Sequence, residues 1–126
     1  MKFSNGCWLQ KEGCSCFSPM EVYFTKITPD MVTLCAPTYH VVTRGDTLGN
    51  VNLTIQITAP YPEVLRIQTF HHMGLAERFP QFEIAVPTSG NLRAEEDDEK
   101  ITVWSGSLRV EVVKATAAIT FYRGDE

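Results

Sequence analysis

The sequence predicts an all-β fold, an antiparallel β-sandwich. Apolar residues occupy every second position from Val51 to Ile57, which is the period of a half-buried strand. A second alternating run, residues 65–68, follows a proline-rich turn, so the two runs form a hairpin with one apolar face. Because an isolated hairpin is at best marginally stable, more strands must complete the sheet. Turn signals recur about every 8 to 12 residues and no stretch has a helical period, as is typical of sandwiches.

Shorter alternating runs predict the strands before the central hairpin. Residues 3–10 suit an edge strand or an arm laid on the sandwich. Residues 19–27 and residues 31–36 flank a Thr-Pro-Asp turn and form a second hairpin. In its first strand, the alternation predicts that Val22 and Phe24 share one face and that Tyr23 and Ile27 share the other. A polar connection, residues 37–49, then leads into the central hairpin.

The strands after the central hairpin are predicted in the same way. Residues 71–80 have poor periodicity and are interpreted as a crossing loop. Strands follow at residues 82–86, at residues 101–104 and 108–112 on either side of a Ser-Gly turn, and at residues 118–122. Eight or nine strands result in total, as expected for a sandwich or barrel, of which we favour the sandwich.

Length and charge describe one ordinary globular domain, residues 1–126, and exclude several partners. The chain is 44% hydrophobic and 21% charged, with a net charge of -4 and its basic residues scattered. Clustered cations for nucleic acid or anionic membranes are therefore absent from the sequence. No apolar run approaches the roughly 18 residues of a membrane span, and the N-terminus lacks a signal-peptide core. We expect a cytoplasmic location without nucleic-acid or membrane partners.

The cysteines and histidines offer weak candidates for a metal site. Cys14 and Cys16, with Cys7 and Cys35, could supply four sulfur ligands to zinc, but no Cys-x-x-Cys pair occurs and reduced thiols are favoured. The neighbouring residues His71 and His72 would point to opposite faces of a strand, so they could not bind one ion without a bend. We favour loop packing or a domain interface for them, and we expect no cofactor or metal.

Other candidate sites also have simpler interpretations. The acidic run, residues 95–99, lacks the spacing of a calcium loop and predicts a solvated hairpin turn. No nucleophile elbow, P-loop or dinucleotide fingerprint occurs. Aromatic side chains could stack on sugar rings, as in a carbohydrate-binding module, although core packing and cross-strand pairing are favoured. These aromatic candidates are Trp8, Tyr23, Tyr39, Tyr61, Phe79 and Trp104.

Several short motifs follow one another along the chain in a characteristic order. They lie at residues 1–9 (MKFSNGCWL), 19–23, 31–37 (MVTLCAP), 65–74 (LRIQTFHHMG), 105–108 (SGSL) and 119–124 (ITFYRG). In order and spacing they resemble the N-terminal β-sandwich domain of bacterial glycoside hydrolase family 31 α-glycosidases, most closely the α-xylosidases. The resemblance spans nearly the whole chain.

The resemblance implies a large multidomain glycosidase, of which this chain is the N-terminal part of a galactose-mutarotase-like supersandwich. In that family the sandwich packs on a (β/α)8 barrel, which carries two catalytic aspartates that act by a retaining mechanism. No aspartate of this chain lies in a matching motif, so no catalytic residue is assigned. The aspartates considered are Asp30, Asp46, Asp97, Asp98 and Asp125. Because the sequence stops at residue 126, we expect an excised domain or truncated product that is inactive alone.

Two functional hypotheses follow. The first is a non-catalytic domain that packs on the catalytic barrel of an enzyme acting on a carbohydrate substrate. The packing residues are expected to be Phe70, His71, His72, Phe79 and Phe82. Loss of the barrel would expose an apolar patch near them and favour self-association of the fragment. The alternative is an autonomous carbohydrate-binding β-sandwich module.

Overall fold

The computed structural model describes residues 12–71 and 92–124, and its regular structure in these ranges is β apart from a 3-10 turn at Arg44–Thr47. The prediction of an all-β fold is confirmed. The strands predicted at residues 3–10 and 82–86, and all of the predicted crossing loop except His71, lie outside the described residues. The eight strands are β1 (Phe24–Ile27), β2 (Met31–Pro37), β3 (Asn52–Thr58), β4 (Arg66–Phe70), β5 (Arg93–Glu96), β6 (Lys100–Ser105), β7 (Leu108–Val113) and β8 (Ile119–Arg123).

The strands form two four-stranded antiparallel sheets. The first sheet has the order β1-β2-β3-β4 and the second has the order β5-β6-β7-β8. Within each sheet, every strand therefore pairs with its neighbours in sequence, and both sheets are meanders. The predicted hairpins β1–β2, β3–β4 and β6–β7 all form, with Ile57 opposite Ile67 in the central one.

One apolar core lies between the two sheets. Alternate residues of β2 and β3 point inward from the first sheet, and alternate residues of β6 and β7 meet them from the second. This shared core confirms the antiparallel β-sandwich. Its buried members are Val32, Leu34, Ala36, Ile55, Ile57, Ile101, Val103, Val110 and Val112.

Hydrogen bonds between the sheets reinforce the apolar contact. The backbone N–H of Val22 donates to the Lys114 carbonyl at 2.7 Å. The buried hydroxyl of Ser105 donates to the Tyr61 carbonyl, at 3.2 Å, and so satisfies a polar group that would be costly to bury unpaired.

The strand pattern differs from the prediction at the start of β1. The sequence places Val22 and Phe24 on one face, but in the structure Val22 packs against the core and Phe24 faces outward. The N–H of Tyr23 donates to the Cys35 carbonyl, and Phe24 also pairs with Cys35. Two residues thus oppose one, as in a β-bulge, and the alternation shifts by one position.

The acidic run also differs from the prediction. Glu95 and Glu96 belong to edge strand β5, and only residues 97–99 form the turn into β6. Asp97 shapes this turn, because its carboxylate accepts hydrogen bonds from the backbone N–H groups of Glu99 and Lys100, both at 2.8 Å. The prediction of a solvated turn is therefore wrong for the first two residues of the run.

Candidate functional site

The two sheets present outer faces of different chemistry. On the first sheet, cross-strand pairing places Phe24, Cys35, Thr54 and Phe70 in one row across all four strands. Cross-strand partners share a face, and the inward direction is fixed by their buried neighbours, so this row faces away from the core. We call the outer face of this sheet the neutral face, because its central side chains are uncharged.

A second row shows the same character. It consists of Lys26, Thr33, Gln56 and Gln68, in order from β1 to β4. The only cation of this row is on edge strand β1, and the three other side chains are neutral amides or a hydroxyl. The middle of the neutral face therefore has no charge to desolvate, which lowers the cost of covering it with other protein.

One of the predicted packing residues lies at the rim of the neutral face. Phe70, the last residue of β4, is half-buried and ends the row that begins at Phe24. His71 directly follows β4 and is exposed. The other three predicted residues, His72, Phe79 and Phe82, lie outside the described residues. Phe24, at the opposite end of the row, is 58% exposed and was not predicted. The alternation in the sequence placed Phe24 on the same face as Val22, but the β-bulge turns Phe24 to the outer face.

Cys35 lies between Phe24 and Thr54 on the neutral face. Burial raises the pKa of its thiol, so the protonated and weakly nucleophilic form is favoured. Of the other cysteines, Cys14 and Cys16 are exposed, and neither forms a disulfide. In the ranges 12–71 and 92–124, no group of three or more His, Cys, Asp or Glu residues could hold a metal ion.

The outer face of the second sheet is charged, and we call it the charged face. One row alternates cations and aromatic rings, with Arg93, Trp104, Arg109 and Tyr122 in order from β5 to β8. The Arg93 guanidinium lies 4.8 Å from the centre of the Trp104 ring, and that of Arg109 lies 4.2 Å from the centre of the Tyr122 ring. Each pair is a cation–π contact.

The next row of the charged face alternates carboxylates and hydroxyls. It consists of Glu95, Thr102, Glu111 and Thr120. Glu111 is held by Lys100 at 3.2 Å and by Arg109 Nε at 3.5 Å, and Glu95 pairs with Arg93. A cleft of about 330 Å³ opens over this row, with Thr102 and Trp104 among its lining residues.

Four carboxylates outside these rows have lowered pKa values, and hydrogen bonds explain each shift. The pKa of Glu21 is lowered mainly by the N–H of Val41 and next by the His40 ring. Backbone N–H groups lower the pKa values of Asp46 and Asp97 in the same way. The hydroxyl and N–H of Ser107 lower the pKa of Glu63. Carboxylates held ionised in this way brace loops, whereas a glycosidase general acid needs a raised pKa.

The two rows of the charged face were missed from the sequence alone. Their polar signal is visible as the alternation of Arg93 with Glu95 and of Arg109 with Glu111. Which residues meet across strands depends on register, and register depends on the turns.

The part of the chain that the structure describes contains no helix that could span a membrane.

Taken together, these observations define a β-sandwich domain with one neutral and one charged outer face. No protein-family profile matches the chain. It is similar to the α-xylosidase XylQ of Lactiplantibacillus pentosus, with 32% identity over 110 residues, which is 87% of this chain and 14% of the relative. It is also similar to an α-xylosidase of Emericella nidulans, with 24% identity over 121 residues, or 96% of this chain and 15% of that relative.

The similarity to α-xylosidases that the sequence motifs predicted is therefore confirmed. The chain spans about one seventh of the length of the relatives it matches, as expected for one domain of a larger glycosidase.

Proposed function

We propose that this chain is a non-catalytic β-sandwich domain of a family 31 α-glycosidase, most closely an α-xylosidase. In this proposal the parent enzyme hydrolyses terminal α-linked xylose or glucose by a retaining mechanism that uses two aspartates of its catalytic barrel. The domain packs on that barrel through the neutral face. It is the N-terminal domain of the parent, and we place the protein in the cytoplasm, where cysteine thiols such as that of Cys16 stay reduced.

The contrast between the two outer faces carries the proposal. The charged face is already adapted to water, because its carboxylates and cations pair with one another. The neutral face has uncharged side chains at its centre and phenylalanines at both ends of one row. Covering the neutral face therefore costs little desolvation and gains aromatic contact area, in line with the composition of protein interfaces.

The carboxylates support a non-catalytic role. Among the described residues, every carboxylate with a shifted pKa is shifted downward by hydrogen bonds that hold loops or turns. None of these groups is suited to donate a proton to a leaving sugar oxygen near neutral pH. We expect the purified chain to leave p-nitrophenyl α-xyloside intact, and turnover that persists after removal of contaminants would contradict this expectation.

A chimera tests the packing role. The segment of the L. pentosus relative that matches this chain would be replaced by the chain itself, and hydrolysis of p-nitrophenyl α-xyloside would be measured. We expect an active chimera, because this segment is similar in sequence to the one it replaces. Deletion of the segment without replacement should remove activity, because the barrel surface that the segment covers would then be exposed to solvent.

Two matched substitutions locate the packing face. Thr54→Lys places a cation at the centre of the neutral face, and Thr120→Lys places the same cation on the charged face. An unpaired charge buried at an interface is costly, so Thr54→Lys should lower the activity of the chimera by about tenfold or more. Thr120→Lys should change it by less than about twofold, as expected of a surface site. Equal effects, or the reverse order, would contradict packing through the neutral face.

Self-association offers a second check on the isolated chain. Because the isolated chain lacks the barrel that covers the neutral face in this proposal, we expect a concentration-dependent dimer in sedimentation experiments. Thr54→Lys should favour the monomer, and Thr120→Lys should not. A chain that stays monomeric at all concentrations would show that this face does not drive association.

A further inference from the structure

The cleft on the charged face has a floor and two carboxylate walls. Thr102 is only 8% exposed although it points away from the core, because neighbouring side chains rise around it. It lies in register between Glu95 and Glu111, on the strands to either side. Two interstrand spacings separate these glutamates, so their backbones are roughly 10 Å apart. The cleft is therefore built mainly on paired strands, and of its lining residues only Asp97 lies in a turn.

The charge of the cleft limits what it can bind. Its lining has four carboxylates and two cations, which leaves a net charge of -2 and disfavours phosphates and other anions. Among the residues that the structure describes, no group of three or more His, Cys, Asp or Glu side chains could hold a metal ion. The charged lining residues are Glu95, Glu96, Asp97, Glu111, Lys100 and Arg109.

The groups that remain suit a neutral polyhydroxylated ligand. Trp104 offers a flat apolar ring at one end of the cleft, while Glu111 and Arg109 offer acceptors and donors beside it. The Nε atom of Arg109 is buried and lies 3.5 Å from Glu111, so it orients the guanidinium and does not meet a ligand. The side chains of Arg109 and Glu111 remain 32% and 17% exposed. A ring with an apolar face and a rim of hydroxyl groups suits this lining, because tryptophan binds apolar surfaces and charged groups bind hydroxyls strongly.

We propose that the cleft over Thr102 is an accessory saccharide-binding site, with Trp104 as its stacking platform and Glu95, Glu111 and Arg109 as its hydrogen-bonding groups. This role goes beyond barrel packing and uses the opposite face of the sandwich. A sugar bound there remains accessible when the neutral face is covered. The site holds saccharide near the enzyme and takes no part in bond cleavage.

Arg93 distinguishes a saccharide site from a purely structural cluster, because its removal should strengthen saccharide binding. Its guanidinium covers the Trp104 ring and pairs with Glu95, and its side chain is 71% exposed. A sugar that stacks on this ring must displace the guanidinium. Removal of Arg93 should therefore strengthen saccharide binding, by about two- to fivefold for a cation–π contact at an exposed site.

Titration of the 126-residue chain by two-dimensional NMR tests the site. Xylose, glucose and the xylosyl-glucose disaccharide isoprimeverose would be added separately, and the signals of the Trp104 indole N–H and of the β5–β7 amides followed. We expect saturable shifts confined to the charged face. Arg93→Ala should tighten binding, and Glu111→Gln, which keeps the side-chain shape, should weaken it by about threefold or more.

The control variant separates this site from the packing face. Thr54→Lys lies on the neutral face, so it should leave saccharide binding unchanged even if it inactivates the chimera. Shifts that do not saturate would overturn the site. Equal saccharide affinities of the unsubstituted chain, Arg93→Ala and Glu111→Gln would also overturn it. The spectra themselves show whether each variant is folded. Failure of this test leaves the chimera result intact, because the two experiments probe opposite faces.

Discussion

The carboxylate of Glu63 lies in the space that a side chain at Gly106 would occupy. A Cβ atom built on Gly106 would come within 1.7 Å of Glu63 Oε1, and Gly106 has a φ of +60°. Glu63, itself at a φ of 59°, accepts hydrogen bonds from the N–H and hydroxyl of Ser107, the next residue of the turn. The loop after β3 is thereby fixed to the turn between β6 and β7, and the two sheets are joined at this end.

Gly106→Ala should therefore destabilise the domain through two effects. Alanine at a positive φ costs about 1 to 2 kcal/mol, and the displaced Glu63 also loses its contacts with Ser107. Urea unfolding would measure the change. In a Glu63→Ala background the same substitution should cost less, because the displaced group is already absent. Additive costs would show that the two residues do not interact.

The stability of the domain should fall in acid. The pKa values of Glu21, Asp46, Glu63 and Asp97 are lowered in the folded state by the hydrogen bonds described above. Their stabilisation is complete above the ordinary values of 4.5 for Glu and 3.8 for Asp, and is lost as the pH falls through the lower folded values.

Urea midpoints measured from neutral pH to about pH 3 would follow this loss. Glu63→Gln should flatten the acid limb, because it removes one of the titrating groups. A midpoint that rises in acid would contradict the assigned direction of the pKa shifts.

Neighbouring residues of β3 should respond in opposite ways to truncation. Ile57 is fully buried in the shared core, so Ile57→Ala should cost about 2 to 5 kcal/mol of unfolding free energy. Gln56, the preceding residue, faces outward, so Gln56→Ala leaves the core intact and should cost clearly less than Ile57→Ala. Similar costs at both positions would mean that the register of the central hairpin is wrong.

The central hairpin could be predicted because only one of its faces is buried. A one-residue slip would turn Ile55 and Ile57 toward solvent, so the alternation specifies both the strand and the face that points to the core. Strand β5 has no such signal. Its sequence, Arg-Ala-Glu-Glu, has low strand propensity, and it is a strand because it pairs with β6 at the sheet edge.

The two outer faces could be predicted only in part. Phe70 was predicted as a packing residue from the family resemblance, and it lies on the neutral face. Phe24 was assigned to the wrong side, because the bulge at Tyr23 interrupts the alternation. The contacts of Trp104 with Arg93 and of Glu111 with Lys100 join residues on different strands. Such pairs follow from strand register, which a single sequence specifies weakly where both partners are polar.

Hydroxyl-radical footprinting of the domain, alone and within the chimera, tests most directly whether the neutral face packs on the enzyme body. Phe24 is 58% exposed on the neutral face, and Trp104 is its reference on the charged face. We predict that Phe24 loses most of its oxidation in the chimera while Trp104 keeps its own. Unchanged oxidation of Phe24, with protection of Trp104, would contradict the proposed orientation.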